Sequence, residues 1–351
     1  MSPLQTAAQL ALVVAVTTAC SSSKKEGERE PAATTPPLAL RLVYEADLFE
    51  MPEAKTLEQI TEVLSKRLTQ IPDLKGAGVV RIENKTIVVE LPGLESAVMR
   101  RTQDIIGRTG QFRIHAVDTG SAIMQKFCSG RNDAPLAAGI EAKVDRWTHF
   151  ETKTAHSDCY LLARDRSVFL PVADARLKGC GATEPEIEGE VRCDIRGSQA
   201  LSDFEASGVV LPDDRRLMFE RVVGSDGGSA WRTYYVHRTA SIGKGDIASA
   251  KVAASPGRPS FEVIIKFTDK AARRFAELTK RSVGSKLAIV IDGVLESAPI
   301  VQTAITAGSV SITFGSGDPE AVRGMAGELV SVLNGGELPT AIALSSINEI
   351  K

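Results

Sequence analysis

Two segments of this 351-residue chain switch repeatedly between two hydrophobic periods, and that switching limits the possible folds more than any other feature. In residues 38–118, LALRLVY (38–44) alternates apolar and polar positions as a strand does, and Leu57, Ile60, Leu64 and Leu68 then recur at helical spacing. Residues 79–82 and 86–91 read as a hairpin over Glu83, Asn84 and Lys85. Pro92-Gly93 ends it, Leu94, Val98, Ile105 and Ile106 mark a second amphipathic helix, and QFRIHAV (111–117) alternates again. The order β-α-β-β-α-β predicts a ferredoxin-like unit.

The pattern returns from residue 229 on. Strands are expected over 231–237, 247–253, 261–267, 287–291, 300–305, 309–314 and 338–344. Asp269 is the expected cap of a helix with Ala271, Ala272, Phe275 and Leu278 on one face. Asp318-Pro319-Glu320 opens another, with Val322, Met325, Leu329 and Leu333 as its apolar face and Asn334-Gly335-Gly336 as its end. The expected fold class is therefore α+β: the β-α-β-β-α-β unit, a second α/β unit, and between them an insertion.

That insertion, residues 119–228, has weak periodicity, with strand-like pieces at 159–163 and 168–172. It holds Cys128, Cys159, Cys180 and Cys193, an even number, which suits two disulfides in an oxidising compartment. Three connectivities are possible. Cys128–Cys159 with Cys180–Cys193 needs the least chain reach and is the one favoured.

The N-terminus bears on the compartment. Residues 7–19 (AAQLALVVAVTTA) are apolar, too short to cross a hydrocarbon core of about 30 Å and of the length of a signal-peptide core. Small residues lead to Cys20, an arrangement similar to the lipobox of bacterial lipoproteins; Thr17 stands where a Leu is usual, and residues 1–6 carry no Lys or Arg. The expectation is a signal peptide over 1–19 and a lipid on Cys20, with an ordinary cleaved signal peptide or a buried helix as the other readings. Ser21 after that cysteine resembles the sorting signal for an outer membrane rather than an inner one. Residues 21–37 are polar, charged and proline-bearing, a composition that suits a tether within 20–37. No other stretch approaches the roughly 18 apolar residues of a membrane span.

FTDKAARRFAELT (267–279), LAIVIDGVLESAP (287–299), TAGSVSITF (306–314) and LVSVLNGGELP (329–339) resemble, in order and spacing, the head of the first periplasmic domain of the protein-export subunit SecD. VVELPGLE (88–95) and IIGRTGQFRI (105–114) are similar to its base, and GKGDIASAKV (243–252) to the link between them. The resemblance implies a base-like domain over 38–118 and a head-like domain over 229–351, with 318–351 returning to the base. It also implies hinges near Gly120, Gly315 and Gly317, and a protein that binds translocating or unfolded secreted polypeptide beside the membrane subunits of the Sec translocon. Because the chain stops soon after Pro339, it is expected to lack the proton-coupled membrane helices of that family.

Catalytic and cofactor readings find little support. The sequence has no nucleophile elbow, P-loop or H-E-x-x-H motif. His149, His156, Asp158 and Cys159 match no metal-ligand spacing, Asp292 is explained by an Asp-Gly turn, and His115 reads as a structural histidine. A net charge of −2 offers no footprint for nucleic acid. No enzyme activity, cofactor or metal is expected. Peptide capture by strand addition is, with Leu295, Pro299 and Ile300 supplying apolar grip or simply packing inside the head. The alternative is an envelope scaffold or interaction lipoprotein that reuses the same fold.

Overall fold

The computed structural model describes residues 39–49, 51–74, 76–131, 136–171, 190–208, 210–223, 228–255, 260–313 and 319–350. Cys20 and the segments expected as signal peptide and tether lie outside them. In chain order the elements are β1 (Ala39–Ala46), α1 (Glu53–Thr69), β2 (Val79–Glu83), β3 (Thr86–Leu91), α2 (Ser96–Gly107), β4 (Phe112–Ala116), α3 (Ala122–Ser129) and β5 (Ile140–Thr148). There follow β6 (Ala155–Arg164), β7 (Arg166–Pro171), β8 (Glu190–Ile195), α4 (Gly197–Gly208), β9 (Arg215–Val223), β10 (Ser229–His237), β11 (Ile247–Ala254) and β12 (Phe261–Phe267). The chain closes with α5 (Asp269–Arg281), β13 (Leu287–Ile291), β14 (Val294–Ser297), β15 (Ser309–Thr313), α6 (Pro319–Gly335) and β16 (Ile342–Ile350).

The class is mixed α/β. The first five elements follow the expected order, and Leu57, Ile60, Leu64 and Leu68 of α1 pack with Leu42, Ile87, Val89 and Ile106 as one core. The β2–β3 turn is tight, with Asn84 and Lys85 both at positive φ, which suits the twist of a two-residue hairpin. The fourth strand differs from expectation. The sheet order is β16-β1-β3-β2, antiparallel throughout, so the strand that completes it comes from the far end of the chain. Strand β4 instead pairs with β13, because Phe112 and Ile114 belong to a different core, with Phe267, Phe275, Leu287 and Ile289.

That second core lies between β4 and β13 on one side and the three-stranded sheet β11-β12-β15 with α5 and α6 on the other. Helix α5 is capped by Thr268, whose hydroxyl accepts from Ala271 N–H, and not by Asp269, which is its first residue. Residues 300–305, expected as a strand, form only a single bridge, Lys286 to Ile300. The last strand begins at Ile342 rather than 338.

The largest sheet has the order β4-β13-β14-β9-β10-β6-β5 and runs through residue 229 without a break, since β10 pairs with both β9 and β6. Beyond Ala116, Val117 bridges to Val236 of β10. Strands β4, β13, β14, β9 and β10 are thereby joined into a ring around Val117, Met218, Tyr234, Val236, Ala288, Val290 and Leu295. On the other face of β6, β9 and β10, helices α3 and α4 cover Leu161, Ala163, Leu217 and Tyr235. The disulfide Cys128–Cys159 ties α3 to β6. Cys180 lies outside the described residues and Cys193 falls on β8, so the second expected pair is not addressed.

Candidate functional site

Two bodies, the sheet of β1 and the ring with its flanking sheet, are joined where the chain passes from α2 into β4 and from α6 towards β16. Helix α6 serves both: Ala326, Leu329 and Leu333 pack into the core of β12 and β13, while Val332 packs into that of α1 and β1. A helix apolar on two sides is expected when it is buried between two cores.

At the end of α6 stands Arg67, the C-terminal turn of α1 having carried it inward until its exposure is 0%. Its guanidinium donates to the carbonyl oxygens of Ile105 (3.0 Å), Thr109 (3.1 Å) and Gly336 (2.8 Å), and to that of Arg108. These carbonyls come from the ends of α2 and α6, the negative poles of two helices, so one cation answers both. Burial pulls the Arg67 guanidinium down to about 10, with Asp292 opposing that shift and Arg108 adding to it. The backbone is built around the side chain. Gly110 has φ +74°, and a Cβ there would lie 2.4 Å from Arg67 Nη2 and 2.7 Å from the Gly336 carbonyl oxygen. A Cβ at Gly335 would lie 2.2 Å from Arg67 Cγ.

Asp292 closes the junction from the other body. It sits at φ +51° in the β13–β14 turn before Gly293, the Asp-Gly turn the sequence indicated. Its carboxylate accepts from Arg108 Nε (2.6 Å), Thr109 Oγ1 (2.8 Å) and Gln111 N (2.9 Å). Burial pushes this carboxyl up, but the bonds from Arg108 and Thr109 outweigh burial and hold it below its ordinary value. Leu338 N–H donates to the Thr109 carbonyl (2.8 Å), and Arg113 forks onto both oxygens of Glu337 (2.7 and 3.0 Å). Both crossing strands of chain are thus bonded to each other and to the two bodies.

The residues singled out from sequence fall elsewhere. Gly120 has φ +75° and its N–H donates to Asp158 (3.3 Å), but it lies between β4 and α3 within one body, so the chain does not cross there. Gly315 and Gly317 lie outside the described residues. Leu295 is 2% exposed inside the ring because β14 turns it inward and Val294 outward, so it presents no surface to a peptide. Pro299 and Ile300 are half-buried, and the Pro299 carbonyl is taken by Leu287 N–H.

The cluster considered for metal is engaged in other ways. His149 Nε2 meets the Gln302 carbonyl (2.7 Å), and His156 stacks on Trp147. Asp158 and Asp145 face buried Lys286 at 3.4 and 2.7 Å, and Asp145 also takes Arg232 (2.7 Å). Among the described residues no group of three His, Cys, Asp or Glu is placed to hold a metal ion. No helix among them is long and apolar enough to cross a membrane.

Arg67 is the residue the sequence reading passed over, although an arginine three positions after Leu64 interrupts the apolar face of α1 and is itself a signal. Residues 219–340 match the family model of the SecDF P1 head subdomain, a span that contains all four blocks from 267 to 339. The protein translocase subunit SecDF of Thermus thermophilus is 36% identical over 106 residues, 30% of this chain and 14% of that protein. SecD of Endomicrobium trichonymphae is 25% identical over 256 residues, 60% of this chain and 52% of the relative. A crystal structure of SecDF in its super-membrane-facing form superposes over 89% of this chain and 30% of that one, at 21% identity and a TM-score of 0.49. The chain therefore spans about half, or less, of the length of these relatives. By the family match and these proteins together, the chain is similar to SecD subunits, and over residues 219–340 to the SecDF P1 head subdomain.

Proposed function

We propose that this chain is a non-enzymatic protein of the bacterial envelope that binds translocating or unfolded polypeptide and assists Sec-dependent export. It acts on the periplasmic side beside the membrane subunits of the translocon, held to a membrane, the outer one favoured, by lipid at Cys20. The match of residues 219–340 to the SecDF P1 head is the observation that carries this reading. Two further features support it. Strands β5 and β16 end their sheets, so each offers a row of backbone groups to an added strand, a mode of capture indifferent to sequence. Phe150, 75% exposed beside β5, and Leu344 and Ile347, 43% and 50% exposed on β16, give such a strand apolar neighbours.

A second reading has its own support. The head match starts at residue 219, so α3, β5 to β8, α4 and the disulfide lie before it. These elements suit an envelope scaffold that holds one folded partner.

In-cell photocrosslinking from Val294, 47% exposed within the matched span, and from Phe150 separates the two readings. Export predicts many nascent secreted chains, or translocon subunits, at Val294. One or two folded envelope proteins captured at Phe150, with no secreted chains at either site, would replace export with the scaffold.

A further inference from the structure

The ring of five strands has an open end between β4 and β9, a cavity of 340 Å³ whose wall includes Arg113, His115, Arg216, Arg238, Met218 and Val290. Three guanidinium groups and an imidazole meet there, and among the described residues no carboxylate lines the space. Two of the cations are already satisfied. Arg113 is held by Glu337, and Arg238 donates to the carbonyls of Asp213 (2.7 Å) and Arg215 (3.1 Å).

Arg216 is not. No carboxylate among the described residues lies within ion-pair distance of it, and its Nε is buried without a partner. Glu205, the acid nearest in effect, has its Oε1 on Leu217 N–H (3.2 Å). The bond available to Arg216 is a weak one, from Nη2 to His115 Nε2 at 3.4 Å. His115 Nδ1 donates to the His237 carbonyl (2.9 Å), which can only accept, and the Arg216 guanidinium can only donate, so in this arrangement Nε2 carries a lone pair and the imidazole is neutral. Burial lowers the basicity of both His115 and Arg216, and Arg238 lowers that of Arg216 further. A half-buried guanidinium with a second guanidinium beside it and no carboxylate partner is a costly arrangement that an anion meeting its Nη groups would relieve.

We propose that this open end is an oxyanion-binding site centred on Arg216, taking a carboxylate or phosphate group, with Arg238 and Arg113 at its rim. The site is independent of the export reading. The carboxylate can come from an acidic side chain of a bound polypeptide, or the oxyanion can be free in solution.

The test follows the side-chain Nε–H resonance of Arg216 while inorganic phosphate, acetate, and a blocked tripeptide Ala-Glu-Ala or its Gln counterpart are added, against chloride of equal ionic strength. A saturable shift with phosphate or acetate is expected, weakened at least about tenfold by Arg216→Gln. If the Glu peptide binds more tightly than the Gln peptide and competes with phosphate, the source is protein carboxylate. If phosphate binds and neither peptide does, the source is free oxyanion. Should Arg216→Gln not fold, phosphate protection of Arg216 in the unaltered chain against phenylglyoxal, mapped by mass spectrometry, gives the same answer. No saturable response to any oxyanion, or one that survives in a folded Arg216→Gln variant, overturns the site.

Discussion

At the scale of single residues the junction rests on a cation that no carboxylate among the described residues touches. Arg67 is fully buried, and its Nη1 and Nη2 donate to backbone carbonyls at the ends of two helices while its Nε is left without a partner. Replacing it with methionine keeps much of the volume but takes the Arg67 donors from the Ile105, Arg108 and Gly336 carbonyls, Thr109 keeping Leu338 N–H, at roughly 1–3 kcal/mol each before any rearrangement. Arg67→Met is therefore expected to lower unfolding free energy by about 3 kcal/mol or more, read from urea unfolding. Arg67→Lys should recover little, since an ammonium has three donors on a flexible stem and cannot reproduce the fork. An Arg67→Met protein within about 0.5 kcal/mol of the parent would show that water satisfies the carbonyls and that the cation is dispensable. The sequence held a trace of this: an arginine set on an apolar helical face. What it could not hold is the destination, because the carbonyls that meet Arg67 belong to residues as far away as Gly336.

At the scale of elements, legibility follows how each strand is buried. Strands with one wet face alternated and were readable, as in β1 and β12. Strand β9 was not, because Leu217 and Met218 are both buried, one against α3 and α4 and the other inside the ring, so no alternation survives. Strand β4 was readable as a strand and misassigned as to partner, since the same Phe112 and Ile114 pattern fits either sheet and only the pairing with β13 decides. Strand β16 was read short because residues 343–349 are exposed and carry little apolar signal. Among three possible connectivities, chain reach favoured the Cys128–Cys159 pair that forms, but did not decide it. That disulfide closes a separation of 31 residues, which in the chain-entropy account stabilises by about 3–4 kcal/mol. Cys128→Ser with Cys159→Ser is expected to lower the unfolding free energy by that order. A double variant as stable as the parent would mean that the α3–β6 contact is held by Met124, Leu161 and Phe204 packing instead.

At the scale of the whole molecule, two cores share α6 and are clamped by a carboxylate, so their coupling should depend on pH in a direction the site fixes. Asp292 titrates below its ordinary value of 3.8 in the folded chain. Its ion pair with Arg108 thus contributes stability that is fully present above that value and is lost as pH falls through the lower, folded value. Asp292→Asn removes the charge at every pH and turns an amide donor or a neutral oxygen towards Arg108, while one oxygen still serves Thr109 and Gln111. The variant is expected to be about 1.5–3 kcal/mol less stable than the parent at neutral pH, and the gap should close as pH drops below about 4. Loosening should also be spatial. Spin labels on exposed Glu58 of α1 and Arg273 of α5 should give a broader distance distribution in Asp292→Asn than in the parent at pH 7, and in the parent it should broaden on acidification. If the variant is destabilised by a constant amount across that range, or if the distances stay narrow in both, Asp292 is an ordinary turn residue and the two bodies are held together by α6 and the Arg67 and Glu337 contacts without it.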